Sequence, residues 1–542
     1  LLLDATYPTE TYPITINYPT ASAVNTLTIQ PNPGVTTAIS GAATGGPLFK
    51  IRNSYVTLQG SNTGGSTRDM TIENTSVTTP MAVWIGSTGT TPLTNTSILN
   101  CNVRNGANTS SAIVLTDQAV TTTGGYFNNI TIQNNSIERA YIGVYSFAAA
   151  LAGNGTGYNV VSNSINTVGA NSIRLCGIYV QGFDGANVMS NDIGNFETTS
   201  SEDDKGIWFA TGTINSVAQR NTVHDLAYTG TSGYGGQGIV VSSGTAACNN
   251  VVKNNMIYKL SGDGWNYTTI PTDNVIGISV FSAQTGVGVY YNSIYLTGNT
   301  LNQTNALSMG IFLGAGSVAD VRDNSIQNDL GLLGATGYAS TCVYAETNNA
   351  QFSNSNYNNY YSNATGSGLK LIGQIAAATS ANLAAWQTAT AQDANSISGN
   401  PLYVSTTDLH LQALSPCLNT GTPIAGITND YDGNTRSATT PDIGADEVSS
   451  SSALTLKLNF ESCPNAGAVT VEIRNSTSPY AVVESVSGTA GGNVNNIINF
   501  ATAVNGTPYY VVVKSANSVE TWTATPVTFT SNAASYDFTT AL

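Results

Sequence analysis

The chain has 542 residues, of which only 9% are charged, and 16 Lys and Arg face 31 Asp and Glu for a formal net charge of −15. So acidic and so sparsely charged a surface excludes nucleic acid and anionic membranes as partners, because both demand clustered basic side chains. With 41% apolar residues rich in Val, Ile and Tyr, the chain carries more buriable surface than a disordered one, and its length requires several domains or a repeat.

The first residues, LLLDATYPTE, lack the basic start and cleavage site of a signal peptide, and the chain does not begin with Met, which suggests a mature or trimmed product. No run approaches eighteen apolar residues, so membrane insertion is not expected. Sparse Lys and a surface rich in Tyr, Asn and Thr point to a secreted protein, extracellular or displayed at the cell surface. The opening stretch LLLDATYPTETYPITI also reads as a strand with an unpaired edge.

Residues 1–375 carry a repeat. An Asn followed two residues later by Val or Ile recurs at Asn135, Asn163, Asn191, Asn221, Asn255, Asn292 and Asn324, in steps of 28 to 37 residues, with looser forms at Asn74 and Asn102. Between these lies a second phrase: GIYV at 177–180, GIWF at 206–209, GIVV at 238–241, GISV at 277–280 and GIFL at 310–313. A third apolar column, Val160, Val188, Ala218, Val252, Val289 and Val321, precedes each Asn by three residues. Three short strands per repeat, without a helical period between them, predict a right-handed parallel β-helix. A lone coil buries too little to offset its ordering entropy, so coils must stack, which places each Asn over the next in a ladder of side-chain amides. The Asn column is read as structural.

The stretch from each Asn to the following Gly is longer and less constant than the rest, so loops gather on one edge. Three of them span 195–205, 227–237 and 258–274. They offer Tyr228, Tyr234, Trp265 and Tyr267, whose rings suit carbohydrate, beside Glu202, Asp203 and Asp204, whose oxygens suit a hard cation. A solvated acidic loop is the plainer reading of that run. His224 with Asp225 and Arg220 is the other polar cluster in the helix.

Residues 376–447 are expected to cap the β-helix, with a short helix in SANLAAWQTATAQD (380–393) using Ser380 as N-cap and packing Leu383 and Trp386 on one face. Within it Asp430, Asp432 and Asn434 alternate as in calcium loops, although Gly433 falls early for that pattern; a simple turn is the alternative. No cofactor is otherwise expected. Residues 448–542 change to alternating strands and predict an immunoglobulin-like β-sandwich. The six cysteines have no metal-ligand spacing; small buried side chains and a Cys417–Cys463 disulfide are both open.

The phrases LQGSNTGGSTRDMTI (58–72), VGVYYNSIYLTGN (287–299), SPCLNTGTPIAGITNDYDGNTR (415–436) and PDIGADE (441–447) resemble large secreted, pectin-lyase-like β-helix proteins of Bacteroidota and Ignavibacteria. VEIRNSTSPYAVV and YYVVVKSANSVETWTATP resemble a sandwich module that often follows that β-helix. The resemblance implies a type IX secretion substrate and a segment of a larger surface protein, and it brings no assigned catalytic residues. The Gly-His-Gly and Arg-Ile-Lys strings of polygalacturonase-like enzymes do not occur. The expectation is therefore a non-catalytic structural or adhesive surface protein that self-associates into fibres. The alternative is a β-helix that binds or degrades polysaccharide at the long-loop edge.

Overall fold

The computed structural model describes residues 1–333, 339–364, 369–448, 452–460, 466–503, 506–516, 518–530 and 532–540. They divide into two units, Leu1–Glu447 and Val448–Leu542.

The first unit is a parallel β-helix whose strands fall into three sheets, of 13, 11 and 11 strands. The GIxV phrases build the first sheet, the Val column the second, and the residues after each Asn the third. Successive coils pair in register, so that Ile178, Ile207, Ile239, Ile278 and Ile311 of the first sheet stack inward. Val160 to Val321 stack likewise in the second sheet, and Ile165, Ile193, Val223, Ile257, Ile294 and Ile326 in the third. These side chains are fully buried and form one continuous core. The Gly before each Ile is there for space: a Cβ on Gly206 would sit 2.4 Å from Val223 Cγ1 and 2.6 Å from Gly238 O.

The second and third sheets meet at a two-residue corner. Its first residue is left-handed in coil after coil, including Ser162 (φ 56), Ser190 (φ 56), Arg220 (φ 56) and Tyr291 (φ 51), and its second is the ladder Asn. Asn191 shows the pattern. Its backbone N–H and its Nδ2 both donate to Asn221 Oδ1 at 3.0 Å, and Nδ2 also donates to Val160 O at 2.9 Å. Its own Oδ1 accepts the same pair of bonds from Asn163 at 3.0 Å. Such saturation stabilises a conformation that non-Gly residues otherwise avoid.

The ladder runs from Asn135 to Asn358, and its start corrects the looser sequence matches. Asn102 pairs with Ser136 in the third sheet, and Asn74 pairs with Asn105 farther along that sheet. Cys101 holds the ladder position instead, its N–H donating to Asn135 Oδ1 at 2.9 Å. A thiol cannot continue the amide chain. At the other end Asn358 passes its bonds to Ser396 and Asp393.

Asp393 belongs to the end cap, where it also receives the Trp386 indole N–H at 2.9 Å. The helix is shorter than expected, Leu383–Thr390, and its N-cap is Asn382, whose side chain accepts from Ala385 N at 3.0 Å. Ser380 is taken up in the strand Ala378–Ser380, paired antiparallel to Leu369–Ile375, so it cannot cap. Beyond 396 the chain runs back along the side of the coils rather than staying at their end. Arg436, buried against the Tyr291 ring at 4.1 Å, donates to Asn254 Oδ1 and to the Gly444 and Ala445 carbonyls. Ala445 N–H reaches Ser293 Oγ and Gly444 N–H reaches Asp323 O, which fastens the segment to several coils.

The second unit holds two sheets, a three-stranded one centred on Ser452–Lys457 and a five-stranded one centred on Ala466–Asn475 and Pro508–Ser515. Leu454, Leu456, Val471, Ile473, Phe500, Val511 and Phe529 pack together between them, as in an immunoglobulin-like sandwich. Among the described residues five cysteines are buried and free; Cys417 packs against Ser325 in the first unit, and Cys463 lies outside the described residues. No helix among the described residues is long and apolar enough to cross a membrane.

Candidate functional site

Strand alternation sends every second residue of the first sheet outward. In consecutive coils these outward positions align Tyr145 with Tyr179 and Tyr179 with Trp208. The Tyr145 and Tyr179 rings stack with centroids 5.1 Å apart and planes 16° apart, and the Trp208 ring meets Tyr179 edge-on at 5.1 Å. All three are half-exposed, so the column is an aromatic surface and not part of the core. Trp208 Nε1 donates to Ser242 Oγ at 2.8 Å, which fixes the indole.

One border of this surface is polar and comes from the long loops. Lys205 Nζ lies 5.1 Å from the Trp208 ring centroid, donates to Asp203 O at 2.9 Å and is 3.9 Å from Asp203 Oδ2. Asp203 also accepts the Gly235 N–H at 3.1 Å and shares a hydrogen bond with Asp273. Burial raises the Asp203 carboxyl to about 7 in spite of Lys205, with Asp273 adding to the rise. The same burial raises Asp273. Asp203 and Asp273 thus form a hydrogen-bonded carboxyl pair beside the Lys205 ammonium group.

The expected acidic run does not act as one group. Glu202 accepts from Arg174 Nε at 2.6 Å and from Tyr141 OH at 3.2 Å, so it is committed to an ion pair outside Asp203. Asp204 is fully buried, neither of its carboxylate oxygens has a hydrogen-bond partner among the described residues, and desolvation pushes its pKa well up. Neighbouring Gln237 also leaves Oε1 unpartnered while its Nε2 donates to Thr272 O.

The four aromatic residues of the loops part company. Tyr228 is buried, its hydroxyl accepts the Ser232 N–H at 3.0 Å, and its ring meets Tyr234 edge-on at 5.4 Å. Trp265 packs over Gly233 and stays 37% exposed. Tyr267 turns to a separate apolar patch, edge-on to Tyr344 at 5.8 Å. Tyr234 and Trp265 therefore border the polar rim, while Tyr228 supports it and Tyr267 lies apart.

His224 gathers Asp192 Oδ1 at 3.0 Å and Asp225 Oδ2 at 2.8 Å and stacks on Tyr258 at 5.3 Å. Burial alone would lower its pKa, but the two carboxylates outweigh this and raise it. Arg220 is not its partner: the guanidinium donates to Tyr431 O at 2.6 Å. In the returning segment Asp430 organises its own turn, accepting Gly433 and Asn434 N–H at 2.8 and 2.7 Å on Oδ1 and Asn434 Nδ2 at 3.2 Å on Oδ2. Asp432 points away from that turn to His410 Nε2, at 2.8 Å. Asp430, Asp432 and Asn434 thus do not face a common centre.

Sequence reasoning missed Tyr145, Tyr179 and Trp208. The signal was present in GIYV and GIWF, where the third letter is the outward position between two inward ones. Asp273 carried no signal, since only the loop's path brings it to Asp203, whereas Lys205 stands two residues from Asp203 in the same run. The chain matches no protein-family model and no curated protein.

Proposed function

We propose that the chain is an extracellular adhesive protein that holds a polysaccharide against the outward face of its first sheet, within a secreted, pectin-lyase-like surface protein of the Bacteroidota and Ignavibacteria type exported by type IX secretion. The observation that carries the binding reading is the Tyr145–Tyr179–Trp208 column. Tyr145 and Tyr179, stacked on one another, present ring edges, and the near-perpendicular Trp208 ring adds apolar surface for the C–H faces of sugars. Lys205, Asp203 and Asp273 supply hydrogen bonds to hydroxyl groups at the edge of the same surface. A chain with only 9% charged residues and a net charge of −15 leaves sugar recognition to stacking and hydrogen bonding, the combination that suits a neutral polymer.

The test is affinity electrophoresis of the full chain through gels containing a panel of polysaccharides. At least one polymer should retard the protein, and Tyr179→Ala and Trp208→Ala should each weaken retention about 10-fold, equivalent to the loss of one aromatic contact of roughly 1 to 1.5 kcal/mol. Retention unchanged in the double variant would remove this face as the binding surface. A second reading, cleavage of the bound polymer, is favoured by the Asp203–Asp273 pair, because a carboxyl at about 7 can donate a proton near neutrality. Release of oligosaccharides, abolished by Asp273→Asn with retention preserved, would establish it.

A further inference from the structure

His410, Asp432 and Asp446 come from three separate stretches of the returning segment, yet one ligand atom of each lies within 4.8 Å of the other two. They are remote from the aromatic face in sequence and serve no role in the reading above. His410 Nδ1 is engaged by Asp408 Oδ1, which leaves Nε2 directed at Asp432 Oδ2, 2.8 Å away. Asp446 is only 5% exposed; one of its oxygens accepts the Leu411 N–H at 2.8 Å, and the other has no hydrogen-bond partner among the described residues. Asp408, Asp432 and Asp446 thus gather three carboxylates around one imidazole, an excess of negative charge that a cation would offset. Asp430 does not compete for that cation, because its two oxygens are taken by the turn and by Glu447 N–H at 3.1 Å.

We propose that His410, Asp432 and Asp446 bind a divalent transition-metal ion, with Zn²⁺ as its reference occupant and Asp408 as the residue that positions the imidazole. One imidazole nitrogen and two carboxylate oxygens are a borderline donor set; Ca²⁺ prefers oxygen alone and more of it. Zinc bonds of about 2.0–2.2 Å place tetrahedral ligand atoms roughly 3.4 Å apart. The His410–Asp432 hydrogen bond must break, its Nε2 proton passing to solvent as the ion takes its place, and Asp446 must close. The His410 and Asp432 side chains, 34% and 46% exposed, are free to make that adjustment. Asp408 accepting from Nδ1 leaves the unprotonated Nε2 as ligand, the usual carboxylate–histidine support. Two carboxylates neutralise the ion. A remaining coordination position would go to water on the side of the groove of about 230 Å³ that Asp432 lines with Arg220, Thr222 and Tyr431. By tying together three stretches next to Tyr431, which contacts Thr222 and Arg220, the ion would lock the returning segment onto the third sheet.

Isothermal titration of the metal-free full chain with Zn²⁺ tests this. One ion per chain is expected, with affinity reduced about 10-fold or more in His410→Ala and in Asp432→Asn. His224→Ala, which removes the protein's other histidine, should leave binding intact. Asp446→Asn also disturbs the support of Leu411 and can unfold the segment, so the exposed Asp432→Asn carries the weight. Co²⁺ in place of Zn²⁺ should give visible ligand-field absorption without a thiolate charge-transfer band. Absence of saturable Zn²⁺ binding, binding unaffected in the His410→Ala/Asp432→Asn double variant, or tighter binding of Ca²⁺ than of Zn²⁺ would each overturn the proposal.

Discussion

The asparagine corner and the long-loop edge both bury polar side chains, but by opposite rules. At the corner each amide meets its own copy in the next coil, so donors and acceptors are matched by repetition. Asn191, Asn221 and Asn255 are saturated in the same way, at 2.9–3.0 Å throughout their side-chain contacts with one another. At the loop edge no two coils carry the same residues, and the result is a buried Asp204 with both oxygens unpartnered beside a carboxyl pair and a lysine. Repetition solves hydrogen bonding by symmetry, whereas a variable loop must solve it locally. Where it leaves polar groups unmatched, the groups are held in unusual protonation states, which is the condition for binding or chemistry.

The sharpest way to break this comparison is to interrupt the ladder. Asn221→Ala removes the acceptor of Asn191 N–H and Nδ2 and the donor to Val188 O and Asn255 Oδ1. Since each buried group left unpaired costs about 1–3 kcal/mol, a loss of roughly 3–5 kcal/mol is expected in denaturant unfolding of the chain. A loss below about 1 kcal/mol would mean that water replaces the amide and that the ladder is ornamental.

The loop edge predicts a smaller effect of defined sign. Asp203 is raised in the folded chain from 3.8 to about 7, and Asp204 is raised as well, both by burial. A folded-state value above the unfolded one gives a contribution that is complete below the unfolded pKa, near 4, and is lost as pH rises through about 7. The melting temperature should therefore fall between pH 5 and pH 8. Asp204→Asn should flatten that slope and raise stability at pH 8 by about 1–3 kcal/mol, because it removes the cost of burying an ionisable carboxyl. A melting temperature that climbs over the same interval would show these carboxyls to be ionised and paired.

The smallest effect lies where the ladder starts. Cys101 occupies the position of an Asn without its amide, so Cys101→Asn should extend the ladder by one member and stabilise the chain by about 0.5–1 kcal/mol. Destabilisation by more than about 1 kcal/mol would show that the space around the thiol, between Leu58 O and Leu99 O, is closed to an amide.

The elements most legible beforehand were those that repeat. Gly and Ile of each GIxV phrase, the Val column and the ladder Asn are all identified by recurrence, and each takes its expected place. The looser match at Asn102 failed because it sits one residue past the ladder position held by Cys101, and a slip of one in a strand reverses the face, while Asn74 lies four residues past the ladder position of its coil, which Met70 holds. The outward aromatic column was legible but unread, since Tyr179 and Trp208 lie among apolar neighbours and look like core. Ser380 failed as N-cap because hairpin pairing with Gly373 claimed it first.

The sequence by itself determined the period, three strands to a coil and the stacking of Asn on Asn, although the ladder continues one member past the last Asn it marked, to Asn358. These follow from spacing, and spacing is a one-dimensional property. Only the tertiary structure decided which side chains meet across loops of unequal length: Asp203 with Asp273, and His410 with Asp432 and Asp446. It also decided that the segment after 396 folds back along the coils, where Arg436 reaches Asn254, 182 residues earlier in the chain. Such meetings depend on the path of each loop and on the register of the coils beneath it, and neither is written in any local pattern of residues.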